Sequence, residues 1–341
     1  MRSRHAALLL VPALLVGACA VTPTPSPSNA PPPERRSVTL LLGFQPDVQF
    51  AAFYLAQQAG YYADAGLDVT IEYKNGADLV RLVADGQAEF GVTDATDVMI
   101  SRTEGIPVKY VSTLYDHFPV ALIGRTGTVP KDPAELVGMR IGTPGKFGSS
   151  WHALLALLQA GGLTEADVTI REYPQFNQVD GLLNGDVDLI TGFLANEPRR
   201  LGAEGMSVDL MTIDEIAPLP GPGLIVGDAL LGTDRAMVTA FADATLEAQR
   251  AIASDPQVGL DAAITEVPAI AEDRPTALAV LEATIGLWRG AGDLPTGNID
   301  QDVWRRGYET MRTLGFIDGS VPLDEMIDQV VGTISESPSP S

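Results

Sequence analysis

Wherever an apolar run of this chain ends, carboxylates, amides and aromatic rings gather. Phe44, Gln45, Asp47 and Gln49 follow the run at 38–42, Asp94 follows 89–93, and Tyr115 and Asp116 follow 108–114. In the next stretch Lys146, Phe147, Gly148, Ser149, Ser150 and Trp151 follow 139–142. Tyr173, Phe176 and Asn177 come after 168–172, and Phe193, Asn196 and Glu197 close 188–193. Rings of this kind stack on a planar group, while carboxylates and amides accept N–H and amino donors from its edge. Any single cluster is ordinary loop chemistry, and any single ring is more often core. Six clusters at equivalent positions predict one shared crevice.

The acids decide what such a crevice accepts. Asp47, Asp94, Asp116 and Glu197 outnumber its cations, chiefly Lys146 with Arg199 nearby. An anion calls for Arg, Lys or clustered donors and is repelled by carboxylates, so a neutral or protonated nitrogen heterocycle fits better. Gln45, Gln49, Asn177, Gln178 and Asn196 add acceptors of the same kind. The loop 142–151 is no Walker A motif, because Lys146 precedes its last glycine. Ser149 reads as a helix N-cap, with Gly148 allowing close backbone approach and the first-turn amides free to donate. Catalysis has little support. His117 and His152 lack partners at metal-ligand spacing, and neighbours on one turn of helix cannot form a nucleophile–base–orienter line.

The elements that position these residues alternate. Strand–helix pairs run from 38 to 114, and residues 120–124 read as a strand crossing into a second half. That half repeats the pattern, with strands at 139–142, 168–172 and 188–193 and helices at 149–160 and 179–184. Pro218, Pro220, Gly221, Pro222 and Gly223 mark a break, with a return strand at 224–226. Helices follow at 235–253, capped by Thr233, and at 258–265, 275–288, 301–313 and 324–334. The expected fold class is α/β, two lobes joined by two crossings with the ligand cleft between them. Lobe 1 is discontinuous, 37–123 and 222–334, and lobe 2 spans 124–221. In open α/β sheets ligands bind at the carboxyl ends of strands, where the clusters fall. No Gly-x-Gly-x-x-Gly opens a helix to favour a dinucleotide fold.

The ends carry a different message. Arg2 and Arg4 precede an apolar stretch at 6–16, which at about 11 residues is short for a membrane span and reads as a secretory leader covering 1–18. The single cysteine, Cys19, stands at the processing site, where it has no disulfide use. Residues 19–36 are rich in Pro, Thr and Ser and form a tether, which at about 3.1 Å per residue reaches roughly 50 Å. Residues 335–341 read as a disordered tail. With 22 basic against 44 acidic residues the net charge is −22, which excludes nucleic acid as a partner. Metal and cofactor are not expected.

The block 44–69, with Gly60-Tyr61-Tyr62 and then Gly66-Leu67-Asp68-Val69, resembles the solute-binding proteins of ABC importers that carry thiamine's pyrimidine precursor, riboflavin, alkyl sulfonates or nitrate. The resemblance extends over 37–225 and implies a type II periplasmic-binding-protein fold, closed around ligand by a hinge. It implies a glycine-rich loop lining the site, and Asn196-Glu197-Pro198 resembles a motif of the heterocycle-binding branch. Val16-Gly17-Ala18-Cys19 resembles a lipobox, which implies acylation of Cys19 and a monomer anchored to the extracytoplasmic face of the cell membrane, handing solute to a permease. Ordinary cleavage after Ala20 is the alternative at this site. Pyrimidine-synthesising relatives carry a cysteine-rich segment absent here. The alternatives in function are a sulfonate or nitrate carrier, and a secreted pyrimidine-modifying enzyme using Glu197 or Asp94 as base.

Overall fold

The computed structural model describes residues 35–74, 77–289 and 292–331. The leader, Cys19, most of the tether and the tail lie outside the described residues. From the amino end come β1 (Arg36–Leu42), α1 (Ala51–Gln58), α2 (Tyr61–Asp64), β2 (Leu67–Tyr73), α3 (Ala77–Ala84), β3 (Phe90–Thr93), α4 (Ala95–Thr103) and β4 (Val108–Thr113). Next are β5 (Val120–Arg125), β6 (Arg140–Thr143), α5 (Gly148–Ala160), β7 (Thr169–Glu172), α6 (Gln178–Leu183), β8 (Leu189–Phe193), α7 (Glu197–Ala203) and β9 (Val208–Thr212). The chain continues through β10 (Gly223–Gly227), α8 (Asp228–Thr233), α9 (Arg235–Ser254), α10 (Pro256–Glu266), α11 (Arg274–Trp288) and α12 (Gln301–Thr313).

Among the described residues the strands form two five-stranded sheets, ordered β2-β1-β3-β10-β4 and β7-β6-β8-β5-β9. Each sheet follows the same plan. Its antiparallel member is the strand that has just crossed from the other half: β10 runs antiparallel to β3 and β4, and β5 antiparallel to β8 and β9. Within each sheet the parallel strands put their carboxyl ends on one side, so the clusters after β1 and β3 emerge together in the first and those after β6, β7 and β8 in the second.

Several expectations are corrected. Residues 120–123, assigned to lobe 1, belong to β5, which pairs only within the second sheet, so that lobe begins before the strand. The helical stretch after residue 50 breaks at Gly60, whose φ of 88° is a left-handed conformation, and restarts as α2. Asp234, not Thr233, caps α9 by accepting from the Met237 amide at 3.1 Å, while Thr233 donates to the carbonyl of Ala229. Strand β9 was not anticipated. Of the helix expected at 324–334, the described residues to 331 form a short 3₁₀ turn, Leu323–Glu325, followed by non-helical chain, and 332–334 lie outside the described residues. β4 is an edge strand whose backbone needs partners, and this segment supplies them: Tyr110 donates to the Met326 carbonyl, and the amides of Asp328 and Val330 donate back to Tyr110 and Val111.

One apolar cluster joins α3, α4 and β4 of the first lobe to β5, β6 and α5 of the second, so the halves share a core. Among the described residues no helix is long and apolar enough to cross a membrane, and no three His, Cys, Asp or Glu side chains form a group able to hold a metal ion.

Candidate functional site

Asp47 opens the 3₁₀ turn Val48–Phe50 and uses one oxygen to accept from both the backbone amide and the side-chain amide of Gln49, at 3.0 and 3.2 Å. Burial pushes its pKa up, while these bonds and the charge of Arg200 pull it back. Arg200 lies on α7 in the second lobe, so its field reaches across to the first. The sequence had pointed to Arg199, whose guanidinium instead donates to the Leu194 carbonyl at 2.6 Å. Spacing held the signal for Arg200, since residues three apart share a helix face and Glu197 opens the same helix.

Asp94 stands at the N-cap position of α4, yet its side chain makes no capping bond there. Its Oδ2 accepts the backbone N–H of Ser149 at 2.8 Å, on the opposite lobe. This overturns Ser149 as an N-cap. α5 begins at Gly148, Phe147 is the cap residue with no side-chain capping bond, and Ser149 lies inside the first turn. First-turn amides are orphan donors, and the other lobe supplies the carboxylate that this helix does not carry itself. One turn further along, His152 Nδ1 and Thr96 Oγ1 are 2.8 Å apart, again between lobes. Burial lowers the His152 pKa to about 4, so the ring is neutral at pH 7 and packs edge-on against Phe316.

Two aromatic residues contact each other between the lobes. The rings of Phe44 and Phe176 meet edge to face with centroids 5.2 Å apart, one from each lobe, and Phe147 reaches Phe176 at 6.4 Å. Among the described residues Phe176 is the one non-glycine with positive φ, at 56°. The other rings are more deeply set. Trp151 is 5% exposed within the shared apolar cluster, with the Lys146 ammonium 5.0 Å from its ring centre. Lys146 itself turns away from the first lobe to Glu165, at 2.5 Å. Tyr115 is buried with its hydroxyl bonded to Trp288, Tyr173 is buried, and Phe193 is half-buried against the shared cluster.

Glu197 is the most enclosed acid of the set. Its Oε2 accepts the Phe193 amide at 2.7 Å and its Oε1 the side-chain amide of Gln178 at 3.3 Å. Burial is the main cause that lifts its pKa to about 7; the charge of Asp47 adds to the rise and that of Arg200 opposes it. Gly192 makes the room, since a Cβ there would lie 2.8 Å from Glu197 Cγ. Asn196 and Ser150 are buried beside these groups in the chain, and Asn196 makes no side-chain capping bond. Gln45 and Asn177 are exposed. Asp116 lines a cleft of about 860 Å³ beside the two crossings, with His117, Asp214, Glu215 and Arg306. Leu194, just past β8, lines the same cleft, while Phe44 meets Phe176 and Asp94 meets Ser149 where the loops of the two sheets touch.

Two sheets of identical order, two crossings, and loops that meet at the strand ends define the periplasmic-binding-protein fold. Solved structures agree: the periplasmic aliphatic sulphonate binding protein SsuA of Escherichia coli superposes with a TM-score of 0.66 at 13% identity, covering 91% of this chain and 97% of that one. The chain belongs to the NMT1/THI5-like family, whose model matches residues 47–258. It is similar to the riboflavin-binding protein RibY of Chloroflexus aurantiacus, 32% identical over 338 residues and 95% of both chains. It is also similar to the 4-amino-5-hydroxymethyl-2-methylpyrimidine phosphate synthase of Legionella pneumophila, 28% identical over 183 residues. That match spans 53% of this chain and 57% of the synthase.

Proposed function

We propose that this protein is an extracytoplasmic solute-binding lipoprotein of an ABC importer, capturing an aromatic nitrogen heterocycle between its lobes and delivering it to a membrane permease. Riboflavin is the favoured ligand, with thiamine's pyrimidine precursor second. One observation carries the reading: Phe44 and Phe176, from opposite lobes, meet in the crevice where Asp47, Arg200 and Glu197 feel one another's charge. A planar ring entering there would exchange the edge contact between the two phenyl groups for stacking on both, and its N–H edge would find carboxylate acceptors. The likeness to a riboflavin-binding protein over nearly the whole of both chains supports the same ligand class.

Titrating the protein into riboflavin tests this directly, because stacking on aromatic rings quenches flavin fluorescence. Saturable quenching, with a melting temperature that rises with ligand concentration, is expected. Stabilisation by alkyl sulfonates or nitrate with none by flavins or pyrimidines would favour the anion-carrier reading. The enzyme reading rests on the half-length likeness to the synthases, and turnover of a pyrimidine followed by mass spectrometry would establish it.

Residues 1–18 as leader, an acylated Cys19 and a tether to residue 36 complete the proposal, with lobe 2 ending near 221. A monomer held on the outer face of the cell membrane follows. Labelled palmitate should enter the wild-type protein and not Cys19→Ser, which should appear in the medium or periplasm; equal labelling would exclude this anchor.

A further inference from the structure

The amino end of α5 is built as an anion seat, and a residue of the protein already sits in it. The helix runs for thirteen residues, so its dipole and its orphan first-turn amides favour negative charge at the start. Its cap residue, Phe147, has no polar side chain to offer. Asp94 crosses from the first lobe to receive the Ser149 amide at 2.8 Å, and its Oδ2 lies 3.4 Å from where a Cβ on Gly148 would stand. The carboxylate therefore occupies the position, the charge and the hydrogen bond that a sulfonate or phosphate oxygen would need.

We infer that Asp94 is a specificity-determining residue that excludes anionic solutes from the crevice, so that the site takes the free heterocycle and refuses its phosphate ester. This deepens the riboflavin reading and rests on it for the identity of the ring. An incoming anion would meet the Asp94 carboxyl at the Ser149 amide, and displacing Asp94 would leave a partly buried carboxyl without its bond. Burial raises the pKa of Asp94 and the bonds from Ser149 lower it, while Asp97, in the first turn of α4, is lifted to about 8 by burial and by the charge of Asp94. Cations near the seat are committed elsewhere: Lys146 pairs with Glu165, and His152 is held neutral.

The test compares riboflavin with its 5′-phosphate by fluorescence quenching, in the wild type and in Asp94→Asn, which keeps the shape and an oxygen acceptor for Ser149. Wild type should bind the phosphate ester more weakly by on the order of tenfold or more, and Asp94→Asn should close most of that gap. Equal affinities in the wild type, or an unchanged ratio in the variant, would overturn the inference while leaving the riboflavin reading intact. If neither flavin binds, the functional reading fails and a second arm still decides. Ethanesulfonate should not raise the melting temperature of the wild type and should raise that of Asp94→Ala, in which the seat is vacant. Stabilisation of the wild type by ethanesulfonate, or of neither protein, would count against Asp94. Circular dichroism of both variants establishes that they fold.

Discussion

Phe44 and Phe176 lie in loops that follow strands of different sheets and touch edge to face at 5.2 Å, a point at which the two halves present aromatic surface to each other. Neither ring is fully buried, so neither is held chiefly by the core. Replacing either by Ala should weaken riboflavin binding by about tenfold, roughly 1.4 kcal/mol, in line with the loss of one good stacking partner. Both variants should stay within about 1 kcal/mol of wild type in urea denaturation beyond the lost pair contact. Affinity unchanged in both would remove the rings from the site.

Phe176 also adopts a left-handed backbone, φ 56°, which an L side chain occupies at a cost of about 1–2 kcal/mol. Ala at this position would lose the ring and keep the strain, whereas Gly would lose the ring and release it. Phe176→Gly should therefore be more stable than Phe176→Ala by about 1 kcal/mol, despite the greater freedom of glycine in the unfolded chain. An Ala variant as stable as the Gly variant would mean that the loop relaxes and stores no strain.

Trp151 is the residue whose role changes most between sequence and structure. Past a strand and in a glycine-rich loop it reads as a stacking wall, but it is 5% exposed and packed in the cluster shared by both lobes. Trp151→Ala should destabilise the fold by about 3–5 kcal/mol, the usual cost of deleting a buried large aromatic. A variant that melts with the wild type yet fails to bind flavin would return Trp151 to the ligand wall.

The alternation of apolar runs and turn residues made both sheets legible, because the inner strands β3, β6 and β8 are buried on two faces and stand out as short apolar stretches, while the edge strand β2 alternates buried and exposed residues. β9 was missed because Asp209 and Thr212 interrupt its five residues. The segment after Leu323 misled because its apolar spacing suits a helix, while its conformation is set by the open edge of β4, a partner far away in the chain. The strand-end rule pointed to Phe44, Asp47, Asp94, Phe176 and Glu197, of which Phe44 meets Phe176 and Asp94 meets Ser149 across the lobes. It could not say that Asp94 would bond to Ser149 or that Lys146 would turn to Glu165. Both are tertiary choices, made by whichever charge or orphan amide lies nearest after folding. Thr96 and His152 were invisible for the same reason, since neither spacing nor composition marks a hydrogen bond between two helices from different lobes.

Buried acids give the fold a pH dependence whose sign can be worked out. Burial first, then the charge of Asp94, raises Asp97 from 3.8 to about 8, and burial raises Glu197 from 4.5 to about 7. Each therefore holds a proton in the folded state that the unfolded chain has already released. Folding takes up protons in this range, so the contribution of these groups is complete below pH 4 and is lost as pH rises through 7 and 8. His152 works in the opposite sense at lower pH. Its pKa falls from 6.5 to about 4, so its neutral burial weakens the fold only as pH drops through 6 towards 4. Surface acids with lowered values, such as Asp188 beneath Arg140, lose their contribution only below about pH 4. Between pH 7 and 8.5 Asp97 should dominate. Urea midpoints of the wild type should fall across that interval, and Asp97→Asn should flatten the fall. Glu197→Gln should reduce the slope between about pH 4.5 and 7, where Asp97 still contributes, and leave the part above pH 7 in place. Asp97→Asn retaining the wild-type slope above pH 7 would mean that the carboxyl is ionised there, and that the proton shared with Asp94 resides elsewhere.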